Sequence, residues 1–240
     1  MSLASLSPDM REYISSLAHE EIFNPDESRG LKYLRERDID EKTIRDWKLG
    51  YCPSHVRDLI FNDRITIPYR DQYGKQIAIA VRKVEGEKPV WWNESFEKGK
   101  YLFGLDKAKK SIYKNNLAIV VEGQFDVISL HKNGIDAAVG VCGADFNLHR
   151  LSMLSRYCNR VILAFDSDDN RAGQTSSDKT FKLLKDRNMH VFKWFFPKGK
   201  DPDLYVREKG GEICRQQIRK IVKSYKMKDR SNYNSEYYFG

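Results

Sequence analysis

Residues 120–127, VVEGQFDV, close an apolar run with an acid, a glycine and, four residues after the first acid, a second one. The run LAIVV ends at Val121, so Glu122 stands where a buried strand would leave its sheet. Asp126 falls on the first turn of a helix expected over Phe125–Lys132, and Gly123 is expected to supply the sharp turn between them. Two later segments repeat the pattern. Residues 163–173, LAFDSDDNRAG, set Asp166 and Asp168 behind RVILAF, and residues 198–205, KGKDPDLY, set Asp201 and Asp203 behind HVFKWFF. In an open parallel sheet the carboxyl ends of the strands converge on one crevice, so acids distant in sequence meet there. Crowded carboxylates repel one another, and a hard divalent cation with oxygen ligands removes that penalty.

Each segment has a plainer reading when taken singly. E-G-x-x-D is equally a helix-dipole pairing, and KDPD reads first as a turn with a helix N-cap. Asp169 is placed to cap the following helix. It is the three segments in this order that carry the metal-site reading.

Around them, strands and helices alternate from Lys114 onward: LAIVV, a helix to Lys132 stopped by Gly134, AAVGV, a helix over Leu148–Tyr157, RVILAF, a helix over Ala172–Lys185, HVFKWFF and a helix over Leu204–Lys209. This is the pattern of a parallel sheet covered by helices. Upstream, Leu31 and Leu34 suggest a helix, and Asp40 an N-cap for another, with Ile39 and Ile44 as a hydrophobic staple. RITIPYR and KQIAIAVR alternate around Asp71–Gly74 as a β-hairpin. Residues 83–100, with Trp91 and Trp92, read as a loop with a short strand. The expected division is an amino-terminal arm or helix over 1–27, a basic α+β part over 28–114, the α/β part over 115–212 and a basic, tyrosine-rich tail over 213–240, mobile until it meets a partner.

The chain has 240 residues, 40% of them hydrophobic, enough for one or two domains with a real core. Its four cysteines form no C-x-x-C pair and no zinc site is expected; they read as reduced thiols. The longest apolar run is too short to span a bilayer and MSLASLSPDM lacks the marks of a signal peptide, so a cytoplasmic location is expected. The net charge of +8, beside an acidic crevice, concentrates positive charge elsewhere and suits a polyanionic partner.

VVEGQFDVISLHKNGIDAAV, LAFDSDDNRAGQ and KDPDLYVREKG together resemble the TOPRIM domain of bacterial-type DNA primases, topoisomerases and some nucleases. GLKYLRERDIDEKTIRDWKLGYCP, DRITIPYRDQYGKQIAIAVR and WNESFEKGKYLFGLDKAKK extend the resemblance to the RNA polymerase core of the primases, over residues 28–212. The resemblance implies a TOPRIM parallel sheet flanked by helices and preceded by a smaller mixed α+β subdomain. It also implies synthesis of short RNA primers on single-stranded DNA from nucleoside triphosphates, with two or more Mg2+ or Mn2+ ions.

By resemblance, Glu122, Asp126, Asp166, Asp168, Asp201 and Asp203 take the metal positions, with Glu122, Asp166 and Asp168 catalytic. Arg64, Arg82, Lys98 and Lys100 fall on or beside a ridge that contacts template and nucleotide phosphates, and Lys88 substitutes for a lysine whose usual position holds Val90. Twelve Lys and Arg against seven Asp and Glu between Phe61 and Lys114 agree with such a ridge. The zinc ribbon and helicase-binding domain of full primases have no counterpart in the sequence, so a reduced core of the phage or mobile-element kind is expected, with a replicative helicase and a separate zinc-ribbon protein as partners. A TOPRIM nuclease acting on RNA or DNA, and a non-catalytic DNA-binding accessory protein, are the alternative readings.

Overall fold

This computed structural model describes residues 5–24, 29–53, 61–86, 90–143, 145–165 and 171–235, with backbone only at 171–176 and 225–235. Lys88, Asp166 and Asp168 lie outside the described residues. The chain divides into two units, 1–107 and 108–240. The division falls near the start of a helix, seven residues before the boundary expected at 114.

The first unit carries α1 (Pro8–Glu21), α2 (Arg29–Glu36) and α3 (Glu41–Trp47) on a four-stranded sheet of β1 (Gly50–Cys52), β2 (Arg64–Arg70), β3 (Gln76–Lys83) and β4 (Trp91–Asn93). The strands pair in sequence order and antiparallel. Asp40 caps α3 by accepting from the Thr43 amide at 2.8 Å. The β2–β3 hairpin turns where Asp71 Oδ1 accepts from the amides of Tyr73 and Lys75 at 2.9 and 3.0 Å, with Gly74 at φ +92° in a conformation that costs glycine little.

Of the two expectations for the amino-terminal segment, arm or helix, it is a helix, α1, packed on this sheet. Ile14 and Ala18 of α1 are buried in the core of this unit with Phe61, Ile79 and Val81. Arg11 forms an ion pair with Glu94 at 2.6 Å, and Glu94 also accepts from the amides of Leu6 (2.8 Å) and Ile79 (3.1 Å). A buried arginine on the inner face of α1 hides the apolar stripe from a reading by periodicity, and its charge is tolerated because Glu94 pairs it.

The second unit is built on β5 (Ala118–Val121), β6 (Ala138–Gly140), β7 (Arg160–Leu163) and β8 (His190–Lys193), in the order β6-β5-β7-β8 with every pair parallel. Its helices are α4 (Leu105–Asn115), which begins in the first unit, then α5 (Gln124–Lys132), α6 (Leu148–Leu154), α7 (Arg171–Lys185), α8 (Pro202–Lys209) and α9 (Gly211–Ser235). All four residues of β5 are buried, as expected of a strand covered on both faces.

The carboxy-terminal segment differs from a mobile tail. It is helical to Ser235, and Cys214 and Ile218, one turn apart, are buried. Gly211 lets this helix start hard against the preceding structure: a Cβ there would lie 2.2 Å from the Asn133 carbonyl. Basic composition masked two apolar positions at helical spacing.

Candidate active site

Glu122 directly follows β5 and is half-buried, with its Oε1 atom shielded from solvent. Its own carbonyl accepts from the Cys142 amide at 2.8 Å. That bond continues the β5–β6 pairing past the end of the ladder and fixes the backbone from which the carboxylate projects. Below this loop the guanidinium of Arg150, fully buried, donates to the carbonyls of Val141 (2.9 Å) and Asp145 (3.0 Å). Arg150 carried no recognisable sequence signal, since an arginine on a short helix reads as surface.

Gly123 does not serve the purpose expected of it. Its φ of −108° is ordinary extended backbone. Glycine is needed for space: a Cβ would lie 2.9 Å from Asp126 Oδ2, which accepts from the Gly123 amide at 2.8 Å.

Asp126 and Asp203 are brought together. Both are buried, and Asp126 Oδ1 accepts from the Asp203 amide at 3.1 Å. Asp203 in turn accepts from the Ser129 hydroxyl and forms an ion pair with Arg207 at 3.0 Å. These carboxylates latch α5 to α8. Asp201 is the N-cap of α8, accepting from the Leu204 amide at 2.7 Å, and stays half-buried. The cap reading of KDPD therefore describes what Asp201 does locally. Among the described residues no three His, Cys, Asp or Glu side chains form a cluster able to hold a metal. The candidate ligands among the described residues are carboxylates, a set that suits Mg2+ or Mn2+ rather than a thiophilic ion.

The cysteines offer no competing chemistry: all four are buried, and burial pushes the thiols of Cys52 and Cys158 up to about 12 and about 11.

In the first unit, register separates the two tryptophans. Arg82 lies opposite Trp91, and Val81 opposite Trp92. Adjacent strand positions face opposite ways, so Trp92 joins the core with Val81 while Trp91 shares the other face with Arg82. Arg64 is buried, with its guanidinium 4.3 Å from the Trp92 ring, and burial lowers its pKa. Arg82 lies 5.1 Å from Trp91 and 5.9 Å from Tyr33, whose hydroxyl accepts from it. Arg37 completes the ladder, 5.5 Å from the same ring and donating to the same hydroxyl at 2.9 Å. Tyr33 and Arg37 were not singled out in the sequence because they come from α2 and the turn that follows it, distant in sequence from the hairpin. Lys98 is half-buried, 6.0 Å from the Phe96 ring, and Lys100 is exposed and pairs with Glu97 at 2.6 Å.

Residues 119–206 match the family model described as Toprim-like. A DNA primase of Synechococcus elongatus is 34% identical over 226 residues, which take in 76% of this chain and 32% of that protein. The chain thus spans about a third of the length of this curated relative. The crystal structure of the zinc-binding and RNA polymerase domains of the Aquifex aeolicus primase superposes with a TM-score of 0.78 at 27% identity, covering 90% of this chain and 62% of that one. A primase catalytic domain bound to single-stranded DNA gives the same TM-score at 24% identity over 89% of this chain and 80% of its own. The fold is that of the primase catalytic core.

Proposed function

Since this chain is a relative of bacterial DNA primases over the region of their catalytic core, we propose that it makes short RNA primers on single-stranded DNA from nucleoside triphosphates. The observation that carries this is the extent of the match, which takes in 90% of the chain and so includes the antiparallel first unit as well as the Toprim-like segment. A TOPRIM nuclease needs only the second unit, and nothing in the first favours it.

In the proposed reaction a primer 3′-hydroxyl attacks the α-phosphorus of the incoming nucleotide, and pyrophosphate leaves. Glu122, Asp166, Asp168 and Asp201 are the residues proposed to hold Mg2+ or Mn2+. Such ions, when bound, neutralise phosphate charge and ease deprotonation of the attacking hydroxyl. Glu122, held at the strand end by Cys142 and shielded on one oxygen, is placed to take up that proton. Asp126 and Asp203 keep the proposed metal positions close together by fastening α5 to α8. The template is proposed to lie along Arg82, Lys98 and Lys100, with Trp91 and Tyr33 available for base stacking; Arg64 braces Trp92 beneath this face. A replicative helicase and a zinc-ribbon module are the partners proposed from the resemblance.

Incubation with single-stranded DNA, labelled nucleoside triphosphates and Mg2+ or Mn2+, resolved on one gel, separates the readings. New RNA oligomers support primer synthesis; shortened DNA without RNA product supports cleavage and overturns the proposal.

A further inference from the structure

A cavity of about 440 Å3 opens at the amino-terminal ends of the parallel strands in the second unit. The acidic residues stand at the opposite, carboxyl ends, so this cavity is no part of the site described above. Leu117, Ile119, Ile135 and Ile218, all buried, make its floor. Among the described residues four cations border it, Arg160 from β7 and Arg215, Arg219 and Lys223 from successive turns of α9, against one acid, Asp136.

The four cations are not equivalent. Arg160 donates to the carbonyls of Asn115 (2.5 Å) and Asn116 (2.9 Å) at the end of α4, and Arg215 to the carbonyl of Asn133 (2.5 Å) at the end of α5. These two neutralise helix C-termini and are explained by the fold. Arg219 reaches Glu212 only at 3.7 Å and is exposed, and Lys223 is exposed. Arg219 and Lys223 sit at i and i+4 on one face of α9, at the mouth of an aliphatic floor. A phosphate would use the cations and leave the floor wet. A nucleic-acid strand would want rings to stack on, and the lining carries none among the described residues.

We propose that this cavity docks an acidic peptide segment of a partner protein, with an apolar side chain on the Leu117, Ile119, Ile135 and Ile218 floor and flanking carboxylates on Arg219 and Lys223. The volume suits one or two side chains and falls in the range of ordinary ligand pockets. Charge complementarity at the rim sets which peptides approach, and the floor supplies affinity. The inference does not depend on primer synthesis being the reaction.

The test presents the full chain with a pool of fluorescent eight-residue peptides holding Leu, Ile or Phe at two central positions within glutamate and aspartate. Arg219→Glu with Lys223→Glu reverses two exposed charges without touching the floor. Wild type should retain members of the pool at least tenfold more strongly than the double variant. It should also retain them more strongly than matching peptides with serine at the central positions. Equal retention by wild type and variant, equal retention of the serine peptides, or charge-dependent binding of oligo-dT in preference to the pool would each overturn the proposal. Circular dichroism of the variant guards against a loss caused by unfolding.

Discussion

Asp126 and Asp203 illustrate how one residue type divides between two tasks. Both are buried and spend their oxygens on amides, a hydroxyl and a guanidinium, while Glu122 stands half-buried at a strand end whose backbone is fixed by the Cys142 amide. The two classes should therefore fail differently. Glu122→Gln changes a charge and little volume, and is expected to lower primer synthesis at least about a hundredfold, the scale of a principal electrostatic contribution, with the urea midpoint unmoved. Asp203→Ala strips Arg207 and Ser129 of their acceptor and should cost about 2 kcal/mol of stability, as for a hydrogen bond to a charged group, read as a lower urea midpoint. Unchanged stability in Asp203→Ala would mean that the latch is ornamental and return Asp203 to direct metal binding. Carboxylates in strand-end segments were legible in the sequence; the division of labour was not, because it depends on which amide each oxygen meets across 77 residues of chain.

At the scale of elements, the alternation of strands and helices from residue 118 to 209 was readable because each strand is a short apolar run and each helix is bounded by cap or turn chemistry. The packing of α1 into the core and the helical form of α9 escaped for a common reason: their inward faces carry few apolar residues among many charges. In α1 the inner face includes Arg11, satisfied by Glu94; in α9 it is Cys214 and Ile218 amid basic residues. If α1 is integral to the first unit, Ile14→Ala should destabilise it by about 2–4 kcal/mol, the usual cost of truncating a buried aliphatic side chain. Thermal or urea unfolding measures this, and a change below about 0.5 kcal/mol, the scale of surface substitutions, would restore the arm. By the same reasoning, truncation just before Cys214 is expected to lower the melting temperature rather than remove an inert tail.

Taken whole, the molecule carries a net +8 although its candidate catalytic residues are acidic, and the Arg37–Tyr33–Arg82–Trp91 ladder shows where part of the positive charge is organised. Changing Arg82 and Lys98 together to Ala should weaken single-strand binding regardless of sequence and flatten the log–log salt dependence by about 1.4 units, two phosphates at roughly 0.7 each for single strands. An unchanged slope in a fluorescence titration would place the DNA track elsewhere. Nucleotide selection offers the sharpest check on the whole account. On a poly(dT) template with Mg2+ or Mn2+, the chain should polymerise labelled ATP into short RNA and leave labelled CTP unused, with the ATP product missing for Glu122→Gln. Incorporation that ignores the template, or a Glu122→Gln protein as active as wild type, would contradict the assignment of this chain as a template-directed primer synthase.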